Sequence, residues 1–502
     1  MERGSEQMKR PEAEAKAREF RPDAVERIYR VALSLYEQGQ GRQAEGLCRE
    51  ILALQPVHAG ALRLLGVRAL DAGDAEGGAE LIGRALAARP DLPEAHLDLG
   101  RAFLAQGLTG EAARSFARAA ECGPALAGPC QALGLLELDL GRPETALKWF
   151  AKAQALAPDE PSVWLHTSWA LKSLGRKEDA AQTCARAVAL APEDCPARLQ
   201  LAELLIDAGR LAEAKQELEA AGQLEPESAW RAFLCGRAAL AQNDAADATE
   251  NFRRCLELDP KDSCGAVAQL VLLGEAATPE RAPLAWVRGL YEGQARLWNE
   301  SMKVPGRGYQ GPELLAQALA QAQAHDSVLG GQAGLTMFDA VLDAGCGSGL
   351  CGPLLRPLAR RLDGMDFSPA MLNLAKATGM YDRLDEAEVV EHLAGCRAEY
   401  DLILAAAVFI YLGELGPVLA AASGALKPGG LLAFTLFPQD GAGYDLTATA
   451  YYRHGREHVR ARVAQAGFEV CASLEGVHEY CDDQPVQGLA LVLRKPGGSL
   501  QP

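Results

Sequence analysis

Seven prolines recur at intervals of 34 residues, and this period constrains the fold of the first half of the chain more than any other feature. They are Pro56, Pro90, Pro124, Pro158, Pro192, Pro226 and Pro260. A fixed period of this length indicates one supersecondary unit copied in tandem, in which each unit buries its apolar face only by stacking on its neighbours. The series ends at Pro260, so we expect a domain of another kind to follow.

Other positions of the 34-residue unit are restricted in size. When each unit is numbered so that its proline is position 32, position 20 is Ala44, Gly78, Ala112, Ala146, Ala180, Ala214 and Ala248, and position 8 is Ala32, Gly66, Gly100, Gly134, Ser168, Ala202 and Gly236. Position 24 is bulky in several units, as at Phe116, Phe150 and Phe252, and position 15 is often glycine. Small residues fit where two antiparallel helices touch, and we expect the bulky residue to pack against the next repeat. The pattern predicts helix-turn-helix units, each closed by its proline.

These features resemble tetratricopeptide repeats (TPRs), with seven units over residues 23–262. The resemblance implies an α-solenoid, a superhelix whose inner groove binds a peptide or a partner protein in most such proteins. Groove positions such as Arg101, Leu135 and Trp169 do not form the Lys/Asn/Arg clamp by which some members hold a C-terminal carboxylate. Two hypotheses stay open: the groove binds an external partner, or it packs against the chain's own C-terminal domain.

Composition argues against several classes of partner. With 502 residues the chain exceeds the size of a single hydrophobic core, so we expect at least two domains. Its 50 basic and 67 acidic residues give a net charge of -17, which would repel nucleic acid and anionic membrane surfaces. The 13 cysteines form no CxxC pair and no cluster with histidine, so we expect no metal site and a cytoplasmic location. The longest apolar run, 402–410, is too short to span a bilayer.

The segments outside the repeats and the second domain carry weaker signals. We expect a disordered charged tail at 1–22, capping and connector helices within 263–305, a second domain at 306–496 and a short tail at 497–502. The capping helix is predicted at 263–273, with Ser263 as its N-cap, and the connector helix at 281–302. The oligomeric state stays open.

A glycine-rich loop from Asp343 to Gly349 opens the second domain. A buried strand is predicted before it at 338–342 and a helix after it at 350–358. The stretch 347–352 also fits the GxGxxG pattern of dinucleotide sites, with Asp366 as the following acidic residue. However, the Asp343 carboxylate would repel a pyrophosphate and attract an ammonium group. Only about 150 residues follow the loop, which argues against a dehydrogenase.

Alternating strands and helices follow the loop, and two consecutive strands end the domain. Strands are predicted at 361–367, 387–390, 400–406, 431–437, 470–474 and 488–494, and helices at 369–379, 414–426 and 456–467. This order predicts an α/β domain with a seven-stranded Rossmann-like sheet, parallel except for one antiparallel edge strand.

Three motifs in this order resemble those of the class I S-adenosylmethionine (SAM) dependent methyltransferases. They are Asp343-x-Gly345-x-Gly347-x-Gly349, the stretch from Gly364 to Ser368, and the stretch from Leu426 to Gly430. Together with the repeats, the segments 379–382 and 411–415 resemble a bacterial-type group of TPR-containing methyltransferases. The resemblance implies methyl transfer from SAM to a small-molecule or protein acceptor, with the repeats recruiting a partner or the substrate.

The resemblance also implies a set of SAM contacts. Asp343 and the backbone at Gly345 and Gly347 would hold the methionine part, and Asp366 would accept both ribose hydroxyls. Phe367 and Met371 would flank the adenine, and Glu388 would meet its amino group, with Glu391 as the rival. The full expected set is Asp343, Gly345, Cys346, Gly347, Gly349, Asp366, Phe367, Met371, Glu388 and Val389.

On the acceptor side we expect Tyr411 and His454 to be the catalytic residues. His454 would orient the acceptor or act as a general base, the alternative being a solvent-facing histidine at a helix start. Tyr452 and His458 are further candidates. Ala407 and Phe437 stand where the resembling group tends to have acidic residues. They keep a second hypothesis open, a non-catalytic SAM-binding scaffold or interaction protein.

Overall fold

The computed structural model describes residues 22–301, 308–328, 337–447, 451–481 and 484–497. The predicted tail at 1–22 lies outside these residues except for Pro22, and so does most of the predicted tail at 497–502. The chain divides into two compact units. One comprises residues 1–138 and 142–174, and the other comprises 139–141 and 175–502.

Helices α1 to α9 make up the first unit. They are α1 (Pro22–Glu37), α2 (Gly41–Leu54), α3 (Ala59–Asp71), α4 (Ala75–Ala88), α5 (Pro93–Ala105), α6 (Thr109–Cys122), α7 (Ala127–Asp139), α8 (Pro143–Leu156) and α9 (Pro161–Ser173). The even-numbered helices up to α8 each end two residues before a proline of the 34-residue series. This agrees with the steric bias of proline against helix in the residue that precedes it. Left-handed glycines such as Gly73 and Gly107 make the turns between paired helices.

Glycine at position 8 of the repeat exists to accommodate the phenylalanine at position 24. A Cβ atom on Gly100 would overlap the ring of Phe116, and one on Gly134 would overlap the ring of Phe150. Both rings are fully buried. The expectation that position 24 packs against the next repeat was therefore incomplete, because this ring also fills the space between the two helices of its own repeat.

The second unit begins with helices that continue the repeat. They are α10 (Lys177–Leu190), α11 (Cys195–Asp207), α12 (Leu211–Leu224), α13 (Ala229–Ala241) and α14 (Ala245–Leu258). Gly236 of α13 is again covered by the ring of Phe252 on α14. The α-helical repeat class predicted for the first half of the chain is confirmed.

A short capping helix and a longer connector helix follow the repeats. They are α15 (Ala266–Leu272) and α16 (Leu284–Ser301). The prediction of Ser263 as N-cap was wrong, because the cap residue is Gly265, whose φ is 82°. The buried carboxylate of Asp262 accepts hydrogen bonds from the first amides of α15, at 2.6 Å from Ala266 and 3.0 Å from Val267. Asp262 itself has a φ of 53°, a conformation that aspartate tolerates better than most residues.

The α/β domain contains a mixed sheet covered by helices. Its strands are β1 (Phe338–Ala344), β2 (Ala359–Asp366), β3 (Arg383–Glu386), β4 (Tyr400–Ala405), β5 (Leu426–Gln439), β6 (Tyr444–Leu446), β7 (Tyr452–Gly455), β8 (Glu469–Cys481) and β9 (Gln484–Arg494). Its helices are α17 (Gly311–Val328), α18 (Gly352–Leu355), α19 (Pro369–Ala377), α20 (Val389–Gly395), α21 (Gly416–Ala425) and α22 (Arg456–Gln465).

The strand order confirms the predicted α/β class and changes its details. Strands β3-β2-β1-β4-β5 are parallel neighbours, β9 pairs antiparallel with β5, and β8 pairs antiparallel with β9. The antiparallel strand therefore lies inside the sheet rather than at its edge. In addition, β7 pairs parallel with the end of β5 and β6 pairs with β7. Strand β3 lies at 383–386 and not at 387–390, where helix α20 begins instead.

Both faces of the sheet are buried, which explains the continuous apolar strands of the sequence. Leu342 and Phe434 belong to one core cluster, together with Leu419 of α21. Val341 belongs to the cluster on the other side, together with Leu315 of α17. Among the described residues, no helix combines the length and the apolar character needed to cross a membrane.

Candidate functional site

A cavity lies at the carboxyl ends of β1, β2 and β4, where open α/β sheets bind their ligands. Its empty volume is about 930 Å³, counting the open mouth. Three loops contribute to its wall, with Gly345–Ser348 after β1, Met365–Phe367 at the end of β2 and Ala406–Val408 after β4. Val287 and Tyr291 of the connector helix α16 and Tyr309, just before α17, are also part of the lining.

The glycines of the loop after β1 have different tasks. Gly345, Gly347 and Gly349 all have positive φ, at 70°, 53° and 88°. A Cβ atom on Gly345 would overlap Val408, whereas one on Gly347 would meet nothing within 4 Å. Gly347 therefore leaves its backbone open to the cavity, and Gly345 allows the loops after β1 and β4 to approach each other. Cys346 between them is buried, and this burial raises the pKa of its thiol, so the thiol stays neutral.

Asp366 ends β2 with its carboxylate against the glycine loop. One oxygen accepts a hydrogen bond from the Gly347 amide at 3.0 Å and the other from the Ser368 amide at 2.9 Å. Burial raises the pKa of Asp366, and the backbone amides of Ser368, Gly347 and Phe367 oppose that shift. The carboxylate also lines the cavity, where its remaining lone pairs can accept from a ligand.

Asp343, at the end of β1, keeps one carboxylate oxygen without a partner. Its Oδ2 accepts a hydrogen bond from the Tyr381 hydroxyl at 2.7 Å. Its Oδ1 is buried and has no hydrogen-bond partner among the described residues. Burial raises the pKa of Asp343 to about 7, against the lowering effect of Tyr381 and with a further raising effect of Asp366. A buried acceptor of this kind is costly unless a ligand satisfies it.

Two buried hydroxyls lie in the same part of the structure and also lack partners within the described ranges. They are Ser348 Oγ, on the glycine loop, and the Tyr309 hydroxyl, just before α17. Both residues line the cavity. Burial raises the pKa of Tyr309 well above its usual value, and Asp343 is among the nearby groups that raise it further. The site thus combines one unsatisfied acceptor with two unsatisfied donors.

The residues predicted to surround an adenine also lie at the cavity. Phe367, Met371, Glu388 and Val389 all contribute to its lining. Glu388 is the N-cap of α20, where its carboxylate accepts a hydrogen bond from the Glu391 amide at 3.0 Å. Its rival Glu391 is exposed and is not part of the lining.

Most of the residues predicted for the cofactor come together in this cavity. Those in the lining are Gly345, Cys346, Gly347, Asp366, Phe367, Met371, Glu388 and Val389. Asp343, near the end of β1, is not in the lining. Gly349 is turned away from the cavity, and a Cβ atom on it would meet Tyr381 and Thr378.

The segment before α16 closes one side of the cavity. Its backbone pairs with the loop after β4, since the Ala282 amide donates to the Tyr411 carbonyl at 2.9 Å and the Gly413 amide donates to the Glu280 carbonyl at 2.8 Å. The Tyr452 hydroxyl donates to the Pro279 carbonyl at 2.9 Å. These bonds make the connector between the repeats and the α/β domain a part of the site.

Two tyrosine hydroxyls lie together where α16 meets the loop after β4. The hydroxyls of Tyr291 and Tyr411 lie 2.9 Å apart, in hydrogen-bond contact. The Tyr451 ring packs edge-on against Tyr411, with ring centres 5.5 Å apart, and also contacts Phe437 at 5.7 Å. Tyr411 was predicted as an acceptor-side residue and does line the cavity.

The structure does not bring His454 to the cavity. Its ring is fully buried, and its Nε2 lies 2.7 Å from the Leu412 carbonyl, to which the neutral ring donates. Burial lowers the pKa of His454 to about 4. His454 is therefore neither an acceptor-facing base nor a solvent-facing histidine, because β7 places its ring under the loop after β4. Tyr452 and His458 are likewise not in the cavity lining.

Ala407 lines the cavity in an unusual conformation. Its φ is 54°, a left-handed value that is uncommon for alanine and less costly for aspartate or asparagine. Its amide donates to Thr435 Oγ1 at 3.0 Å, and the same oxygen lies 3.0 Å from Nε2 of the buried His478. Ala407 thus connects the loop after β4 to the interior of the sheet. It is also a residue at which the sequence departs from the TPR-containing methyltransferases that it resembles.

Sequence reasoning missed Tyr291, Tyr309, Ser348 and Arg281, all of which line the cavity. Three of them lie outside the strand-end motifs, in the connector and before α17. Arg281 and Tyr291 fall in the predicted connector helix at 281–302 and Tyr309 in the predicted second domain, and no motif marks these positions as site residues. Within the described ranges, no group of His, Cys, Asp and Glu side chains is arranged to hold a metal ion.

Comparison with known proteins gives the same division of the chain. Residues 342–432 match a family model described as a methyltransferase domain. Residues 29–93, 65–127 and 132–194 match one tetratricopeptide repeat model, and residues 178–234 match another.

One curated relative is the biotin biosynthesis bifunctional protein BioCD of Bordetella avium (strain 197N), which is 38% identical over 109 residues. The match covers 20% of this chain and 22% of that protein, so the chain spans about a fifth of the relative's length.

Two of the similar solved structures are described as TPR proteins. YrrB, described as a TPR protein with an unusual peptide-binding site, is 19% identical with a TM-score of 0.33, over 37% of this chain and 95% of that one. TTC0263 from Thermus thermophilus, described as a thermophilic TPR protein, is 24% identical with a TM-score of 0.33, over 36% of this chain and 100% of that one.

Proposed function

Because the chain joins tetratricopeptide repeats to a methyltransferase domain, we propose that it is a SAM-dependent methyltransferase whose repeats recruit a protein partner or the substrate. The acceptor is a small molecule or a protein. One observation carries the proposal: Asp343, Ser348 and Tyr309 each have a buried polar atom without a partner among the described residues, and the glycine loop that contains Ser348 is open to the cavity at Gly347.

These atoms suit the amino-acid part of SAM, which is a zwitterion. Asp343 Oδ1 would accept from the ammonium group, and the hydroxyls of Tyr309 and Ser348 would donate to the carboxylate. A cation beside Asp343 would also favour its ionised form and reverse the effect of burial on its pKa. A pyrophosphate offers no group for Asp343, which argues for SAM over a dinucleotide.

The nucleoside part of SAM suits Asp366 and residues that follow it along the chain in the same lining. Asp366 would accept from the ribose hydroxyls with the lone pairs that its two backbone donors leave free. Phe367 and Met371 would pack on the adenine, and Glu388 would accept from its amino group. Glu388 needs no rearrangement for this, because as an N-cap it is already held by the Glu391 amide.

SAM supplies an electrophilic methyl group, and the chain supplies alignment and exclusion of water. Tyr291 and Tyr411 would position the acceptor by hydrogen bonds from the part of the lining where α16 meets the loop after β4. The described lining contains neither histidine nor lysine, and His454 is held by Leu412. We therefore propose that the acceptor brings its own nucleophilic lone pair and that His454 positions the loop after β4.

The alternative function is a SAM-binding scaffold without methyl transfer. It is favoured by Ala407, whose left-handed backbone lies where the resembling group tends to have an acidic residue, and by the apolar environment of Phe437. The net charge of -17 supports a protein partner over nucleic acid in either case, and the scattered cysteines support a cytoplasmic location.

The test uses SAM labelled in its methyl group and fractions of cell extract. Wild type should label one or more fractions, Asp366→Ala should lose at least nine-tenths of this labelling, and the control Asp385→Ala should retain it. Asp385 is a suitable control because its carboxylate pairs with Arg383 and does not line the cavity. Labelling that persists in Asp366→Ala would refute the assignment of the site, and SAM binding without any labelled fraction would favour the scaffold.

A further inference from the structure

Helix α16 forms part of the wall of two cavities at once. Leu284, Val287 and Tyr291 line the cavity described above. Trp286, Gly289 and Leu290 line a second one, of about 880 Å³ counting its open mouth. These two sets lie on opposite sides of the helix, because residues three, four and seven positions apart share a face. A ligand in the second cavity would therefore press on the helix that carries Tyr291.

The second cavity, here called the array-end cavity, lies where the last repeat meets the capping helix. Its lining is Trp230, Phe233 and Arg237 of α13, the segment 263–265 with Ala268 and Gln269, and Trp286, Gly289 and Leu290 of α16. The α13 residues lie at groove positions of the repeat, so the cavity continues the face on which repeats of this kind bind partners. No part of it belongs to the proposed SAM site.

The chemistry of this lining favours an aromatic anchor. The Trp230 and Phe233 rings are stacked, with centres 5.3 Å apart and planes inclined by 15°. Trp286 lies against the opposite wall, where a Cβ atom on Gly265 would meet its indole nitrogen at 2.8 Å. A further ring could add stacking contacts, which contribute about 0.5–1.5 kcal/mol beyond the area they bury.

The charges favour a cationic flank on the occupant. Arg237 is the charged residue of the described lining, and its guanidinium is already paired with Asp207 at 2.7 Å, so it is not available to an anionic occupant. The chain as a whole has a net charge of -17. An anionic peptide would be repelled, whereas lysine or arginine beside the anchor would be attracted.

We propose that the array-end cavity binds an aromatic side chain flanked by basic residues in a partner protein, and that this binding strengthens SAM binding through α16. The array-facing side of the helix is incompletely packed, since Gly289 is exposed there. An occupant adds contacts on that side and holds the helix against the cofactor cavity, where Tyr291 is bonded to Tyr411. The second half of the proposal rests on the proposed SAM site, and the first half does not.

The first experiment titrates the full-length protein with three pentapeptides in a calorimeter. One has a central tryptophan flanked by lysines, one has alanine in place of tryptophan, and one has glutamates in place of lysines. The tryptophan-lysine peptide should bind at least tenfold more tightly than either control. Equal binding of the alanine peptide would overturn the anchor, and equal binding of the glutamate peptide would overturn the cationic flank.

The second experiment measures SAM affinity with the cavity empty and filled. A Cβ atom on Gly289 would meet nothing within 4 Å, so a larger side chain can enter the cavity from there. Gly289→Phe should abolish binding of the tryptophan-lysine peptide and bind SAM about fivefold more tightly than the matched control Gly289→Ala. Saturating wild type with the peptide should have the same effect on SAM, which keeps the test independent of the folding of either variant.

The outcomes separate the two proposals. If wild type does not bind SAM, the proposed function fails, and the peptide titration still decides whether the cavity is a binding site. If SAM binds with the same affinity with and without peptide, the coupling through α16 is wrong. If SAM binds and no peptide does, the array-end cavity is not the site proposed.

Discussion

At the residue scale, two glycines of one loop have different roles, one mainly in stability and the other mainly in ligand binding. Gly345 and Gly347 both have positive φ, but only at Gly345 would an added Cβ atom overlap a neighbouring side chain, that of Val408. Gly345→Ala should therefore destabilise the fold by more than about 2 kcal/mol, because it adds overlap to the cost of about 1 kcal/mol for a left-handed alanine. Gly347→Ala should cost only about 1 kcal/mol but weaken SAM binding more than tenfold. Urea unfolding and SAM titration of both variants test this, and a similar loss of stability in both would contradict it.

The buried carboxylate of Asp343 gives a pH-dependent prediction. Its pKa is raised to about 7 in the folded state, against roughly 3.9 when unfolded. Between about pH 4 and pH 7 the Asp343 carboxyl is protonated in the folded state and ionised in the unfolded state. Its contribution to the free energy of unfolding therefore declines as the pH rises from about 4 to 7. Asp343→Asn removes this titrating group. As the pH rises from 5 to 8, the free energy of unfolding of the variant should therefore increase relative to that of wild type.

The same substitution should have the opposite effect on cofactor binding. Wild type should bind SAM more tightly as the pH rises through about 7, because the ionised carboxylate is the better partner for an ammonium group. Asp343→Asn should bind weakly at every pH. Unfolding curves of the two proteins that change in parallel with pH, or equal SAM affinity at pH 8, would refute the assignment.

The positions of site residues could be predicted where the backbone itself carries the signal. The glycine loop and the strand-end Asp366 follow from spacing and from the topology of a parallel sheet, and the structure brings them to one cavity. His454 could not be placed in this way, because whether a histidine faces a cavity depends on strand β7, which the sequence pattern did not predict. Tyr291 and Tyr309 reach the cavity only through tertiary packing of segments that are distant in sequence.

At the scale of elements, the repeat is held together by a glycine and a ring from its two helices. Gly100→Ala should destabilise the chain because its Cβ would overlap Phe116. Phe116→Ala should cost about 3–5 kcal/mol by leaving a cavity in the core. The double variant should cost less than the sum, since the smaller residue at 116 makes room for the added methyl. Strict additivity in thermal or urea unfolding would show that the two positions are not in contact.

Helix ends were predictable and strand β3 was not, for physical reasons. The prolines mark the second helix of each repeat because a residue before proline resists the helical conformation. Strand β3 consists of Arg383, Leu384, Asp385 and Glu386 at the end of the parallel strand order, and none of them is buried. A strand of this kind shows no apolar pattern, and the more apolar stretch at 387–390 therefore has the stronger strand signal in the sequence.

At the scale of the whole molecule, the connector has a larger part than its sequence indicates. A segment interpreted as a spacer contributes backbone hydrogen bonds to the loop after β4 and three side chains of α16 to the cavity. The separation into repeats and an α/β domain was predictable from the period and the motifs. The contribution of the connector was not, because it depends on contacts between elements far apart in the chain.

The central claim is that this cavity binds SAM, and a calorimetric titration at pH 8 tests it most directly. Wild type should bind SAM and its demethylated product at a single site. Asp366→Ala should bind both at least a hundredfold more weakly, while Asp385→Ala should bind as wild type does. Failure of wild type to bind either molecule, or equal binding by Asp366→Ala, would contradict the account.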